Sequence, residues 1–183
     1  FYTGLQLNQY NINPGSLDPG SGNSILAVAL ENEKSREFSL YANLNWSPTE
    51  RLSISSGLRL TNFNLLGPYV QGQYDENEIF KGTKEFTNNE VVVSYFNPEP
   101  RIGVNYKLSE NSALKASYAS IYQYIQNIYN TSTPLPTSRW KISDTFILPQ
   151  KNDTYGLGWY TNFENSGLEI SSEAYYRKTE NNL

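Results

Sequence analysis

The chain has 183 residues, a formal net charge of −4 from 14 basic and 18 acidic residues, and no Cys, His or Met. Without Cys or His it can build no disulfide framework, no thiolate or imidazole metal site and no histidine-based triad. Its weak charge lacks the dense basic face that nucleic acid requires. A mean hydropathy of −0.58 and the lack of any apolar run near ~20 residues exclude helical membrane spans. Alternating strands average out as polar, so a membrane barrel stays open. The missing Met, with ends "FYTGLQL" and "YYRKTENNL" that carry no cap or turn signal, suggests a piece of a longer chain. Fifteen Tyr within 14% aromatics, beside many Asn, Ser and Thr, suit β-structure wetted on one face.

In chain order, Asn11–Lys34 holds "NPGSLDPGSGNS" and reads as a long connection. "REFSLYANLNW" then places Phe38, Leu40, Ala42, Leu44 and Trp46 on one face and Ser39, Tyr41, Asn43 and Asn45 on the other. After the turn Ser47–Glu50, with Pro48, "RLSISSGLRL" sets Leu52, Ile54, Leu58 and Leu60 against Arg51, Ser53, Ser55, Gly57 and Arg59. Two alternating strands about a short polar turn predict an antiparallel hairpin. A second long connection, Leu65–Ser94, follows. "RIGVNYKL" alternates Ile102, Val104, Tyr106 and Leu108 against Arg101, Gly103, Asn105 and Lys107, and turns at Ser109–Asn111.

The next stretch, Ala113–Asn130, carries two periods. Ile121, Ile125 and Ile128 with Tyr118, Tyr122 and Tyr129 have helical spacing, whereas Leu114, Ala116, Tyr118, Tyr122 and Tyr124 share strand parity. We read Ala113–Tyr124 as a strand, with Leu114, Ala116 and Tyr118 on one face and Lys115 and Ser117 on the other. Parity is lost from about Ile125, where a short helical turn fits. A third long connection, Gln126–Gln150, leads to "TYGLGWYTNF", a turn at Glu164–Gly167, and "LEISSEAYYRK". In the last strand Leu168, Ile170, Ala174 and Tyr176 oppose Glu169, Ser171, Glu173, Tyr175 and Arg177.

Short turns at one end and long loops at the other are the layout of an antiparallel transmembrane β-barrel, with periplasmic turns and extracellular loops. Strands of ten or more residues match a tilted span, and Trp46, Tyr106 and Tyr176 fit an interfacial girdle. A soluble β-sandwich or β-helix is the alternative from pattern alone. About seven strands are too few and too odd to close the usual bacterial barrel, so residues 1–183 read as one partial β-barrel domain.

The segments "PRIGVNYKL…ALKASYA", "QYIQNIYNTSTPLPTSRW", "PQKNDTYGLGWYTNF" and, upstream, "SLYANLNWSPTERLSISSGLRL" resemble the barrel region of TonB-dependent outer-membrane receptors, in a branch typical of the Bacteroidetes. The resemblance is most specific in Glu99–Phe163 and weaker in Phe1–Lys34. Ser120 departs from it, since Arg is expected after "KASYA". The resemblance implies a roughly 22-stranded, plugged barrel in the bacterial outer membrane. It further implies import of a large scarce nutrient (siderophore, cobalamin or glycan) with inner-membrane energy, and no catalysis. The partners implied are outer-membrane lipid, the TonB complex acting through a plug absent from these residues, and a possible surface lipoprotein. No cofactor and no nucleic acid are expected, and the imported ligand is not named by the sequence. Two other readings are a secreted β-rich carbohydrate-binding module and a structural barrel of a secretion or surface complex.

Candidate chemistry is sparse. Glu31, Glu33 and "DENE" at Asp75–Glu78 read as solvated loop charge, with a calcium site at "DENE" as the sharper alternative. Tyr129, Arg139 and Trp140 form a low-information set of ligand- or partner-binding candidates, because aromatics and Arg in a loop can stack on a sugar or siderophore. Loop packing is the bland alternative. Tyr122 and Tyr124 are expected in the outer girdle. Arg51, Arg59, Arg101 and Lys107 are expected on the lumen face, paired with plug or neighbouring-strand acids. The sequons at Asn130 and Asn152 read as accidental, and Gly156 and Gly158 as relief of crowding in a curved strand.

Overall fold

The computed structural model describes residues 1–13, 16–17, 28–29, 32–128, 139–163 and 166–182. Its strands are β1 (Tyr2–Ile12), β2 (Ser16–Leu17), β3 (Val28–Ala29), β4 (Glu33–Trp46), β5 (Leu52–Leu66), β6 (Tyr69–Tyr74), β7 (Phe80–Phe86), β8 (Val91–Ser109), β9 (Ser112–Gln123), β10 (Ile125–Ile128), β11 (Arg139–Ile142), β12 (Gln150–Phe163) and β13 (Leu168–Glu180). Seven of them form one antiparallel sheet in the order β1-β4-β5-β8-β9-β12-β13. The pairs β2–β3, β6–β7 and β10–β11 are separate two-stranded hairpins, and all three lie within the long connections. The all-β expectation and the seven-strand reading therefore hold, and the long loops carry structure of their own.

The predicted hairpins have the predicted parity. In β4 the burial pattern alternates from Ser35 to Leu40, with Ser35, Glu37 and Ser39 buried and Arg36, Phe38 and Leu40 exposed. The register Leu40↔Leu60, Leu58↔Pro100 and Arg59↔Glu99 carries both faces across the sheet. One face is polar, with Glu37, Arg59, Glu99 and Arg101, and the other is apolar. The short turn after β4 is held by the Thr49 hydroxyl, which accepts the Leu52 N–H at 3.1 Å.

Residues 112–123 form a continuous strand, so the strand reading of the two-period stretch is correct. Past Tyr124 the chain does not coil into a helical turn. It continues as β10, paired to β11 through Ile125↔Ile142 and Gln126↔Lys141. The reason lies in β8. Its pairing with β9 ends at Arg101↔Ala119, while its ladder with β5 runs on past Pro100 and Pro98. Proline has no N–H to donate, and here the missing donors fall on the β9 side. Glu99 takes up the slack, its carboxylate accepting the freed Tyr122 N–H at 3.3 Å. The sheet thus parts between β8 and β9, and the chain turns inward over the polar face.

The inward turn creates the core. Phe63, Leu65, Tyr124 and Ile142 are its buried members, with Tyr10, Ile12, Tyr69, Val93, Tyr95 and Tyr122 packed around them. Phe63 and Tyr124 stack at 4.4 Å with rings 5° from parallel, and the Tyr124 hydroxyl accepts from Asn97 at 2.9 Å. The girdle expectation for Tyr122 and Tyr124 is therefore corrected: both rings pack into this core, because the chain leaves the sheet at Tyr124. The crowding expected at Gly156 has a specific source, since a Cβ there would lie 2.7 Å from the Ser117 Oγ of the paired strand.

Replacing Phe63 with Ala removes the ring under Tyr124 and is expected to weaken docking of the β10–β11 hairpin by about 3–5 kcal/mol. Hydrogen exchange checks this. The Ser143 amide, which donates to the Tyr124 carbonyl, should lose protection while the β4–β5 ladder keeps its own.

Candidate functional site

The polar face carries a chain of charges across three strands. The Arg59 guanidinium donates to a Glu37 carboxylate oxygen at 2.7 Å and to Gln6 at 2.9 Å, and lies 4.0 Å from Glu99. Arg101 lies 3.6 Å from Glu99. Tyr10 and Ser39 complete the shell by donating to the two oxygens of Glu37. Pairing with neighbouring-strand acids is thus found for Arg59, whereas Arg101 meets Glu99 of its own strand, β8. The two carboxylates are nearly buried, a placement that costs several kcal/mol per ion unless it is matched by charge and hydrogen bonds. A cavity of about 280 Å³ opens beside this cluster, lined by Tyr2, Gln6, Tyr41, Asn43, Arg59 and Arg101 among others.

Above the cluster, three connections meet in a polar clasp. The Lys141 ammonium bonds to Glu33, at the start of β4, and to Asp144 at 3.1 Å. The second Glu33 oxygen accepts the Ile142 N–H at 2.7 Å. Asp144 accepts from the Tyr69 hydroxyl of β6 at 3.0 Å and from the N–H groups of Phe146 and Ile147, each at 2.8 Å. The Tyr95 hydroxyl donates to the Asp144 carbonyl. Burial disfavours the Asp144 carboxylate, but the Ile147 and Phe146 N–H groups and Lys141 outweigh it and hold the group below its usual range. Burial also pulls Lys141 down. The hydrogen bond and charge of Glu33, with Asp144, outweigh it and hold the ammonium above its usual value. Tyr69 is pushed up to about 12, chiefly by burial.

The clasp leaves aromatic rings facing out. Tyr74 packs edge-on to Phe80 at 5.7 Å and to Phe146 at 5.8 Å. Gln71 donates to the Thr145 hydroxyl at 2.9 Å, joining the same two segments. All three rings are more than half exposed. Of the sequence-derived candidates, Trp140 lies on β11 and is exposed, Arg139 opens the same strand, and Tyr129 lies outside the described residues. Sequence reasoning missed Tyr74, Phe80 and Phe146, although aromatic residues on polar loops were the signal that selected Trp140. At "DENE", Asp75 is already engaged by Lys81 at 2.9 Å and by the N–H groups of Asn77 and Ile79. Among the described residues no group of three acidic side chains is placed to hold a metal ion.

An antiparallel sheet with one polar and one apolar face, short turns at one end and roofed loops at the other is the build of an outer-membrane β-barrel. Residues 1–183 match the family model described as TonB dependent receptor-like, beta-barrel, and the chain belongs to that family. No curated protein and no solved structure matches the chain. Membership makes this an outer-membrane transporter barrel of the TonB-dependent class. It brings TonB and the outer membrane as partners, within a family of transporters rather than enzymes.

Lys141→Ala leaves Glu33 and Asp144 buried without their cation, which is expected to destabilise the clasp by about 3–5 kcal/mol. Trp140 emission, reporting on the same hairpin, should shift in the variant with the β4–β5 ladder intact. The pH dependence follows from the two shifts. The depressed Asp144 contributes stability that is complete above its ordinary value of 3.8 and is lost as pH falls through its lower folded value. The raised Lys141 contributes stability that is complete below 10.5 and is lost as pH rises through its higher folded value. The same emission should therefore be flat from about pH 5 to 9 and change only outside that window.

Proposed function

We propose that these strands are part of the wall of a plugged, roughly 22-stranded barrel that imports a large, scarce nutrient: a siderophore, cobalamin or glycan. Energy reaches it from the inner membrane through TonB and a plug domain outside residues 1–183. The observation that carries the reading is the roof over the polar face. Loops from three connections are bound together by the clasp of Glu33, Lys141, Asp144 and Tyr69 and leave Trp140, Tyr74, Phe80 and Phe146 exposed. A ligand approaching the lumen from outside meets these rings first. Flat aromatic faces suit sugar rings and catechol-like or corrin-like surfaces alike, by stacking and apolar burial. Tyr129 and Arg139 belong to the same connection and are proposed as further contacts. A surface lipoprotein, where one is present, would dock on the same roof.

Growth of a deletion strain on panels of siderophores, cobalamin and glycans, each as the limiting source, identifies the nutrient. Trp140→Ala and Phe146→Ala should then each lower its uptake about tenfold, the worth of one ~1.4 kcal/mol contact, at unchanged receptor abundance in the outer membrane. Unaltered uptake in both variants would move the recognition surface away from this roof.

A further inference from the structure

The register fixes how steeply the strands cross the membrane. Trp46, Ile54, Val104, Ala116, Leu157 and Ala174 form one continuous hydrogen-bonded row across β4, β5, β8, β9, β12 and β13. β4 ends on this row. The last pair of the β8–β9 hairpin, Ser109↔Ser112, lies four residues beyond it on β9 (116 − 112). The last pair of β12–β13, Phe163↔Leu168, lies six beyond it on β12 (163 − 157). From the β4–β5 turn to the β12–β13 turn the sheet advances four strands. Six residues at ~3.3 Å against four spacings of ~4.8 Å give a tilt of about 45° if the short turns share one plane.

The polarity of the apolar face shows the same slope at the opposite edge. On β4 the first outward polar residue above the row is Arg36, ten residues up (46 − 36). Asn64 on β5 and Ser94 on β8 stand at the same height, with Asn62 two residues lower. On β12 the first is Asp153, only four residues up (157 − 153), level with Lys178 on β13 and with Ser120 on β9. This edge therefore falls by six residues, the same step as the turns. Turn positions and side-chain polarity are separate features of the sequence, and across these strands both descend by six residues, the polar edge in one step between β8 and β9.

Between the two edges the outward positions are largely apolar: Phe38, Leu40, Ala42, Leu44 and Trp46 on β4, and Tyr155, Leu157, Trp159, Thr161 and Phe163 on β12. Nine residues along a strand at that tilt span roughly 20 Å of height, close to the ~25 Å apolar band of outer-membrane barrels. Aromatic rings crown the band, with Tyr118, Tyr155 and Tyr176 in contact at 4.9 and 6.3 Å. Just above them the polar groups bond to one another. Asn64 donates to Asn62 at 2.7 Å, Asn62 to Ser94 at 3.2 Å, and Tyr118 to Asp153 at 3.1 Å. Lys151 pairs with Asp153 at 2.8 Å.

We propose that the outer boundary of the hydrocarbon crosses the sheet obliquely along this line, with the exposed Arg36, Ser94 and Lys178 and the half-buried Asn64 contacting the headgroup layer of the outer leaflet. The inference rests on the barrel's being in a membrane, and it sets residues that stand equally far above one paired row at different depths. Ala42 and Lys178 both stand four residues above Trp46 and its row partners, yet Ala42 lies inside the band and Lys178 at its surface. Residues 1–183 have no Cys; with any cysteine elsewhere in the full-length receptor replaced by serine, single cysteines at Ala42, Leu157, Asn64 and Lys178 can carry a nitroxide in phosphatidylcholine vesicles. Labels at Ala42 and Leu157 should collide preferentially with oxygen. Those at Asn64 and Lys178 should favour a water-soluble nickel chelate several-fold over Ala42. Leu58→Cys, paired with Ala42, duplicates the deep site if Ala42→Cys does not assemble. Equal depths at Ala42 and Lys178, with lipid contact at both, would overturn the oblique boundary and leave the barrel standing. Absence of lipid contact at both Ala42 and Leu157 would overturn the boundary together with the barrel's placement.

Discussion

Hydrocarbon offers no partner to a peptide N–H or C=O, and this prohibition organises the molecule. Every group that meets the bilayer must find its partner on a neighbouring strand, so the sheet is built from long ladders with their turns and loops outside. Alternation follows at once, because a two-residue period sends one side chain to lipid and the next to the lumen. β4 and β5 stay in one unbroken register from Trp46↔Ile54 to Lys34↔Leu66. Among the described residues the main ladder opens between β8 and β9, and there the chain supplies replacements. Pro98 and Pro100 have no donor to strand, and Glu99 receives the Tyr122 N–H.

That opening connects the wall to the roof. The released chain turns over the polar face, stacks Tyr124 on Phe63 and brings Lys141 to Glu33. Above and below this contact the polar face works by different means. Lower down, Arg59 bridges Glu37 and Glu99 within the wall, while higher up an ion cluster joins separate connections to one another. Both satisfy buried charge, the lower one between strands of the sheet and the upper one between separate connections.

Much of this was legible in the residues and some was not. "REFSLYANLNW" and "RIGVNYKL" announced strand and facing, because a half-buried strand writes its environment into every second residue. "ALKASYASIYQYIQNIYN" carried a helical spacing that came from two strands, β9 and β10, joined without a turn signal. Tyr124 sits at their junction, and its inward turn depends on Phe63, some sixty positions earlier in sequence, which no local pattern reports. The lumen charges were found by parity, and pairing with neighbouring-strand acids was anticipated and is met at Arg59. The clasp was not, because Glu33, Tyr69, Lys141 and Asp144 come together only through tertiary folding. For the same reason Trp140 was selected from its loop while Tyr74, Phe80 and Phe146 were passed over. Each looked like an isolated aromatic until the clasp set their loops side by side.

The clasp also bears on how such a receptor can change over generations. Glu33, Tyr69, Lys141 and Asp144 come from connections that lie far apart in the chain, so an exchange in one loop base leaves an unmatched charge or hydroxyl in another. Loop bases of this receptor must therefore drift as a set, and a graft of any one from a relative brings its partners' requirements with it. The tip of the β6–β7 hairpin closes on itself, Asp75 pairing with Lys81. A surface exposed to phage and antibodies can in this way vary its outermost residues while the frame that presents them stays the same.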